Sequence, residues 1–270
     1  MGVLSDTKVV ADWLGKLFGW WKVRQDPIRA QAQRVLDVFV AHGVAQTQIS
    51  RLLPEQFAIP MMDFASADKL SEHLTPALLD WVAEYFALNR SWLDGRPVDP
   101  HQTIYCYKHP ADFAAWLAER RTGEPFQFRL LVLKSSSMPI SPNSNENIVI
   151  VLEERITYLD DQSVCRYFIF DGNGPLNHYP VIRSLMGLCV VADRTRCLVK
   201  GRVVEEKICT AIEDGHLLIP LGLSKARNSW EPDGMLFQSP VNALPWQKQL
   251  RADIAEDLAA APCTAIRDDS

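Results

Sequence analysis

The side chains best suited to acid–base, nucleophilic or metal chemistry are six histidines and six cysteines. The histidines are His42, His73, His101, His109, His178 and His216. No two of them stand four residues apart on a helical pattern, and H-E-x-x-H, G-x-S-x-G and Walker-type G-x-x-x-x-G-K runs are absent. Cys106, Cys165, Cys189, Cys197, Cys209 and Cys263 include no C-x-x-C pair, and their spacings miss those of zinc sites. Cys189 and Cys209 fall on apolar helical patterns, where a buried thiol is the simple reading. The set reads as reduced, mostly buried thiols of a cytoplasmic protein. No metal, no cofactor and no catalytic group is expected.

Paired carboxylates offer little more. Glu153 and Glu154 are neighbours in a β-rich run, so they point to opposite faces of a sheet. Asp160-Asp161 suits a hairpin tip. Residues 171–174, Asp-Gly-Asn-Gly, are a turn signal followed by proline, not by a phosphate-facing helix. Asp171, His178 and Tyr179 remain as a possible pocket near strand ends. Tyr105, Tyr107, Phe126, Phe128, Tyr158, Tyr167, Phe168 and Phe170 populate the strands and read mostly as core, with Arg129 or Arg166 on the solvated side.

The elements that would position these groups divide the 270 residues into an expected α+β arrangement. Residues 1–26 suggest a Trp-rich amphipathic helix with Trp13, Leu14, Leu17, Phe18 and Trp21 on its apolar face, packing on the protein or on a second copy. Its few lysines are too thin a set for a membrane surface, and no run is long enough to span a bilayer. Residues 27–95 suggest an all-α domain of five short helices. Pro27 and Pro76 suit first turns, Thr75 suits an N-cap, Asn89 another, and Gly43 and Gly95 suit helix ends. Residues 96–102, with two prolines, read as a linker. Residues 103–270 suggest an α+β domain with a mainly antiparallel sheet, helices on one face and C-terminal helices. That order is shared with PAS-like and GAF-like sensors at the level of architecture only.

The stretch LLDWVAEYFALNRSWLDG, residues 78–95, together with GVAQTQISRLL, residues 43–53, resembles the lambda-repressor/Cro (XRE-type) helix-turn-helix family. Leu79, Val82, Ala83, Phe86, Trp92 and Leu93 carry the resemblance, which covers residues 28–95, about a quarter of the chain. It implies a five-helix domain whose third helix enters the major groove as part of a dimer on a two-fold site. The positions that would contact DNA are Gln46, Thr47, Gln48, Ser50, Arg51, Ser66, Lys69 and Ser71. The chain departs from the family where bases are read: FAIPMMDFASADKLSEHL is longer, interrupted by Pro60, and rich in acid. Between Pro27 and Gly95 five basic residues (Arg29, Arg34, Arg51, Lys69, Arg90) face eight acidic ones. The whole chain carries a net charge of −5, against the basic balance that phosphate binding favours.

The resemblance implies a transcriptional regulator, DNA-binding and homodimeric, with a C-terminal domain that senses a small-molecule or protein ligand or mediates oligomerisation. The charge count motivates the alternative: an interaction or adaptor protein that reuses the helical domain as a dimer or partner-binding module.

Overall fold

The computed structural model describes residues 26–124, 126–237 and 243–259. The expected Trp-rich helix, apart from Asp26, lies outside the described residues.

The helical unit opens with α1, Pro27–Ala41. The Asp26 carboxylate accepts the amides of Ile28 and Arg29, and Pro27 has no amide to leave unpaired. Its buried stripe is Ala32, Val35, Leu36, Val38 and Phe39. Three 3-10 turns follow, Gln46–Arg51, Glu55–Phe57 and Met61–Ala65. The sequence pattern suggests α-helices here. Pro54 and Pro60 each sit directly before a turn and limit the runs to a few residues, too short for i→i+4 hydrogen bonding to become established. Then come α2, Ala67–Ser71, α3, Pro76–Tyr85, and α4, Arg90–Leu93. Thr75 Oγ1 caps α3 on the Leu78 amide, as its place before proline predicts. Asn89 does not cap α4. Its amide group donates instead to the carbonyls of Asp99 and His101.

The second half is mixed helix and sheet, mainly antiparallel. The strands are β1, Thr103–Ile104, β2, Phe128–Lys134, β3, Asn147–Leu159, β4, Gln162–Phe170, β5, Gly174–Pro175, β6, Leu198–Val203, and β7, Asn228–Trp230. They order as β1-β4-β3-β2-β6-β7, with β5 on β3. The pairs β1/β4 and β2/β6 are parallel. Helices cover both faces, not one as expected. On one face lie α5, Pro110–Arg120, α6, Tyr179–Arg194, and α10, Pro245–Ala259. On the other lie α7, Glu206–Glu213, and α8, Ile219–Leu223, while a short α9, Gly234–Phe237, precedes α10. The reason is visible in β2: Leu130 and Val132 enter one core, Leu131 and Leu133 the other, so both faces demand cover. Strand β6 falls in a stretch whose pattern suggests a helix from Arg202 onward. The β-branched pair Val203-Val204 merges with the apolar stripe of α7 and hides the boundary.

The hairpin β3/β4 joins the two halves. Strand β2 pairs with β3 only as far as Glu154, so residues 155–159 run past the end of β2, paired with β4 alone among the strands. Leu159 and Val164, from this projecting part, belong to the core of the helical unit. Residues 96–102 are not a loose tether. His101 is buried, and the Gln102 amide donates to the Ala87 carbonyl.

Candidate nucleic-acid interface

The sequence-derived DNA set splits into two groups. Gln46 and Thr47 are exposed on the first 3-10 turn, with Ser50 half-buried beside them. Gln48 and Arg51 on the same turn are already engaged. Arg51 grips the Asp160 carboxylate with both terminal nitrogens, at 3.0 and 2.7 Å, and Gln48 Nε2 reaches it at 3.4 Å. Asp160 sits at the tip of the β3/β4 hairpin, so this edge of the helical unit faces its own chain. Ser66 is the N-cap of α2, and Ser71 Oγ donates to the Asp68 carbonyl. Lys69 is exposed and makes no ion pair among the described residues. The stretch in the place of the family's third helix is the five-residue α2 with a 3-10 turn before it.

Three of the four arginines of the helical unit meet a carboxylate. Arg29 pairs with Asp68 at 2.9 Å and Arg51 with Asp160. Arg90 lies between Asp80 and Asp94. Arg34 is half-buried, and burial lowers its pKa against the opposing charge of Asp94. These pairs are largely exposed and add little stability. Their consequence is electrostatic: a phosphate would have to displace a carboxylate at each position.

Behind this edge lies a buried polar junction. Arg129 Nη1 pairs with Glu153 Oε1 at 3.0 Å, and the Tyr167 hydroxyl donates to Glu153 Oε2 at 3.2 Å. Burial and the Glu153 charge push the Tyr167 hydroxyl far up, so it stays neutral. The His42 ring packs 5.7 Å from the Tyr167 ring and 4.3 Å from Phe86. His101 Nε2 accepts the Ile219 amide at 3.0 Å, so its proton sits on Nδ1 and is donated to the Tyr167 carbonyl at 3.2 Å. His42 Nδ1 donates to the Val38 carbonyl, and its Nε2 is buried with no partner among the described residues. Burial lowers His42 to about 4. Burial, reinforced by the His42 charge, lowers His101 to about 3. On the opposite face of β3, Glu154 is held by Arg166 at 2.7 Å and Gln127 at 3.1 Å. Glu153 and Glu154 thus serve two separate networks, as strand alternation requires.

The possible pocket of Asp171, His178 and Tyr179 does not assemble. Asp171 Oδ1 accepts the amides of Cys106 and Tyr107, His178 is exposed, and Tyr179 donates to Asp253 on α10. The five described cysteines are buried and unpaired by disulfide. Burial raises Cys165 to about 11 and Cys197 and Cys209 to about 12, which withholds the thiolate at neutral pH. Lys134, only 1% exposed, is spent on Glu146, the Met138 carbonyl and the Trp230 ring, and it anchors the polar loop at 135–146. A mainly apolar cavity of about 280 Å³ lies between α6 and α10, lined by Val190, Arg194, Arg251 and Ile254 among others.

The end of the sheet from which β3 projects carries a polar set that sequence reasoning missed. The C-termini of α5 and α6 bring Arg120, Arg121, Arg194 and Arg196. The first residues of β2 and β6 bring Arg129 and Lys200, and Arg129 is in register with Leu198. Arg155 stands on β3, where its amide donates to the Gln127 carbonyl. Arg121 is close enough to act on the Cys197 thiol. Phe126 and Tyr158 border this end and are 54% and 58% exposed. The signal was available in part: four cations fall between Arg194 and Arg202 in a chain that is acidic overall. The approach of three other segments, the end of α5, β2 and β3, to that run was not.

No family model, curated protein or solved structure matches this chain.

Proposed function

We propose that the chain is a non-catalytic interaction protein whose helical unit docks a partner and does not read base edges. One observation carries this reading: three of the four arginines of the unit, Arg29, Arg51 and Arg90, are already paired with a carboxylate. The remaining exposed acids, Glu55, Glu72 and Glu84, favour a basic protein partner. The 3-10 turns give further support, because a groove-reading element needs a regular helix of several turns. Leu159 and Val164 of the hairpin, buried in the core of the unit, hold it on the sheet, and the exposed Arg51–Asp160 pair sits at its edge.

A second reading is a homodimeric transcriptional regulator that contacts DNA through this unit. It rests on Gln46, Thr47 and Lys69, which are exposed. The C-terminal half would then sense a ligand, and the cavity between α6 and α10 would be its place. The test is a variant with Gln46→Ala, Thr47→Ala and Lys69→Gln, assayed for duplex binding by fluorescence anisotropy between about 50 and 200 mM salt. The proposal expects the same affinity and salt slope as the parent. A slope reduced by about one for the lost lysine would return the DNA contact to the helical unit.

A further inference from the structure

We propose that the surface formed by Phe57, Trp81 and Tyr85 of the helical unit docks an arginine-bearing segment of a partner protein. The inference rests on the reading above, that this unit meets a basic partner, and it names the place and the side chain that the place takes. On α3, positions 81, 84 and 85 are neighbours on the helix surface, so Trp81, Glu84 and Tyr85 stand side by side. Glu84 is exposed and the two rings are half-buried, while Leu78, Leu79, Val82 and Ala83 take the buried side of the helix. Phe57, on the three-residue turn Glu55–Phe57, lies against Trp81 with ring centroids 5.9 Å apart. The same turn brings Glu55, which is exposed.

The rings form an array that runs outward from the core. Phe39, fully buried, backs Trp81 at 6.4 Å and 28°, and Trp81 stacks on Tyr85 at 4.8 Å and 29°. A planar guanidinium extends such an array by one more layer, which a compact ammonium does less well. The chain makes this pairing within itself, where the Arg120 guanidinium lies 4.1 Å from the Trp116 ring centroid. The charge around the array favours the same ligand. Asp80, beside Trp81 in sequence, is paired with Arg90. Arg166, which acts on the Tyr85 hydroxyl, is committed to Glu154 at 2.7 Å and to the Glu84 carbonyl. Glu55 and Glu84 make no ion pair among the described residues, so their carboxylates are open to a cation from outside.

The test uses the full chain and three labelled Gly-Ser peptides of equal length that carry arginine, lysine or glutamate at the same positions, read by anisotropy between about 50 and 200 mM salt. The arginine peptide is expected to bind several-fold more tightly than the lysine peptide, and the glutamate peptide not to bind. Tyr85→Leu should weaken the arginine peptide roughly three- to ten-fold, whereas Tyr85→Phe, which keeps the ring, should stay close to the parent. Glu55→Gln with Glu84→Gln should weaken the arginine and lysine peptides alike and flatten their salt dependence. Circular dichroism and the thermal midpoint confirm that each variant is folded. Three results overturn the inference: equal affinity for the arginine and lysine peptides, parental binding by the folded variants, or a dimer of the parent that the double glutamine variant dissolves, which would assign the surface to a second copy. This inference and the reading beneath it fail separately. If Glu72→Gln weakens the arginine peptide and the other variants do not, a basic partner still meets the unit, but not at these rings. If neither basic peptide binds at about 50 mM salt, the basic partner itself is lost.

Discussion

The helical unit and the open end of the sheet both carry arginines, and they use them in opposite ways. In the helical unit Arg29, Arg51 and Arg90 close on carboxylates of the same chain, and Arg51 does so across 109 residues of sequence. At the sheet end Arg129 and Arg166 hold Glu153 and Glu154, whose side chains are only 12% and 6% exposed. Exposed pairs add little stability, whereas breaking a buried pair leaves one charge uncompensated.

The largest effect expected from breaking one region concerns the core that the two share. Phe86→Ala removes a fully buried ring that meets Phe39 edge-on at 5.1 Å and packs on His42. It should cost about 3–5 kcal/mol in urea denaturation. The hairpin enters both cores, so one cooperative transition should move as a whole. A separate, early transition of the helical unit would show that the two regions are independent.

Replacing Arg166 by leucine strands the buried Glu154 carboxylate and removes the bond to the Glu84 carbonyl of the helical unit. The expected loss is about 3 kcal/mol, since breaking a buried pair leaves one charge uncompensated. The double variant with Glu154→Leu should recover most of it, and failure to recover would mean that the ion pair is not the source.

The junction also predicts a pH dependence. His42 and His101 have folded values below the ordinary 6.5, at about 4 and about 3. Above about pH 6.5 both states are neutral and the full stability is present. As pH falls below 6.5 the unfolded chain takes up protons that the folded chain refuses, so stability declines toward pH 4 and levels off near 3. The total is on the order of several kcal/mol, at about 1.4 kcal/mol per unit. Thermal midpoints measured from pH 8 to 4 should fall more steeply for the parent than for a His42→Gln, His101→Gln variant. Equal slopes would place the acid sensitivity elsewhere.

The smallest effect is expected at the most conspicuous contact. Arg51→Ala breaks the pair with Asp160, yet both partners are more than half exposed. Its urea midpoint should match the parent. A clear loss of stability would mean that the hairpin tip, and not Leu159 and Val164, holds the helical unit in place.

Local signals in the sequence were readable where one residue decides the geometry. Asp26-Pro27 and Thr75-Pro76 open their helices, and Asp160-Asp161 turns the hairpin. The buried face of residues 78–93 followed from its period, with Leu78, Leu79, Val82, Phe86 and Leu93 in the core. What was not readable depends on partners distant in sequence. Gln48 and Arg51 had the composition of DNA contacts, and only the fold places Asp160 against them. Arg129 and Arg166 read as solvated, and both turned out to neutralise the glutamates beside them. Phe126 and Tyr158 read as core, and only the unequal lengths of β2 and β3 leave them outside it.

The contrast between the two surfaces is tested most directly by residue-level mapping. Backbone amide spectra of the full chain, recorded during titration with a DNA duplex at low salt, report whether the helical unit meets DNA. The account predicts Gln46 to Arg51 and Ser66 to Ser71 unmoved. Shifts at those positions would contradict it.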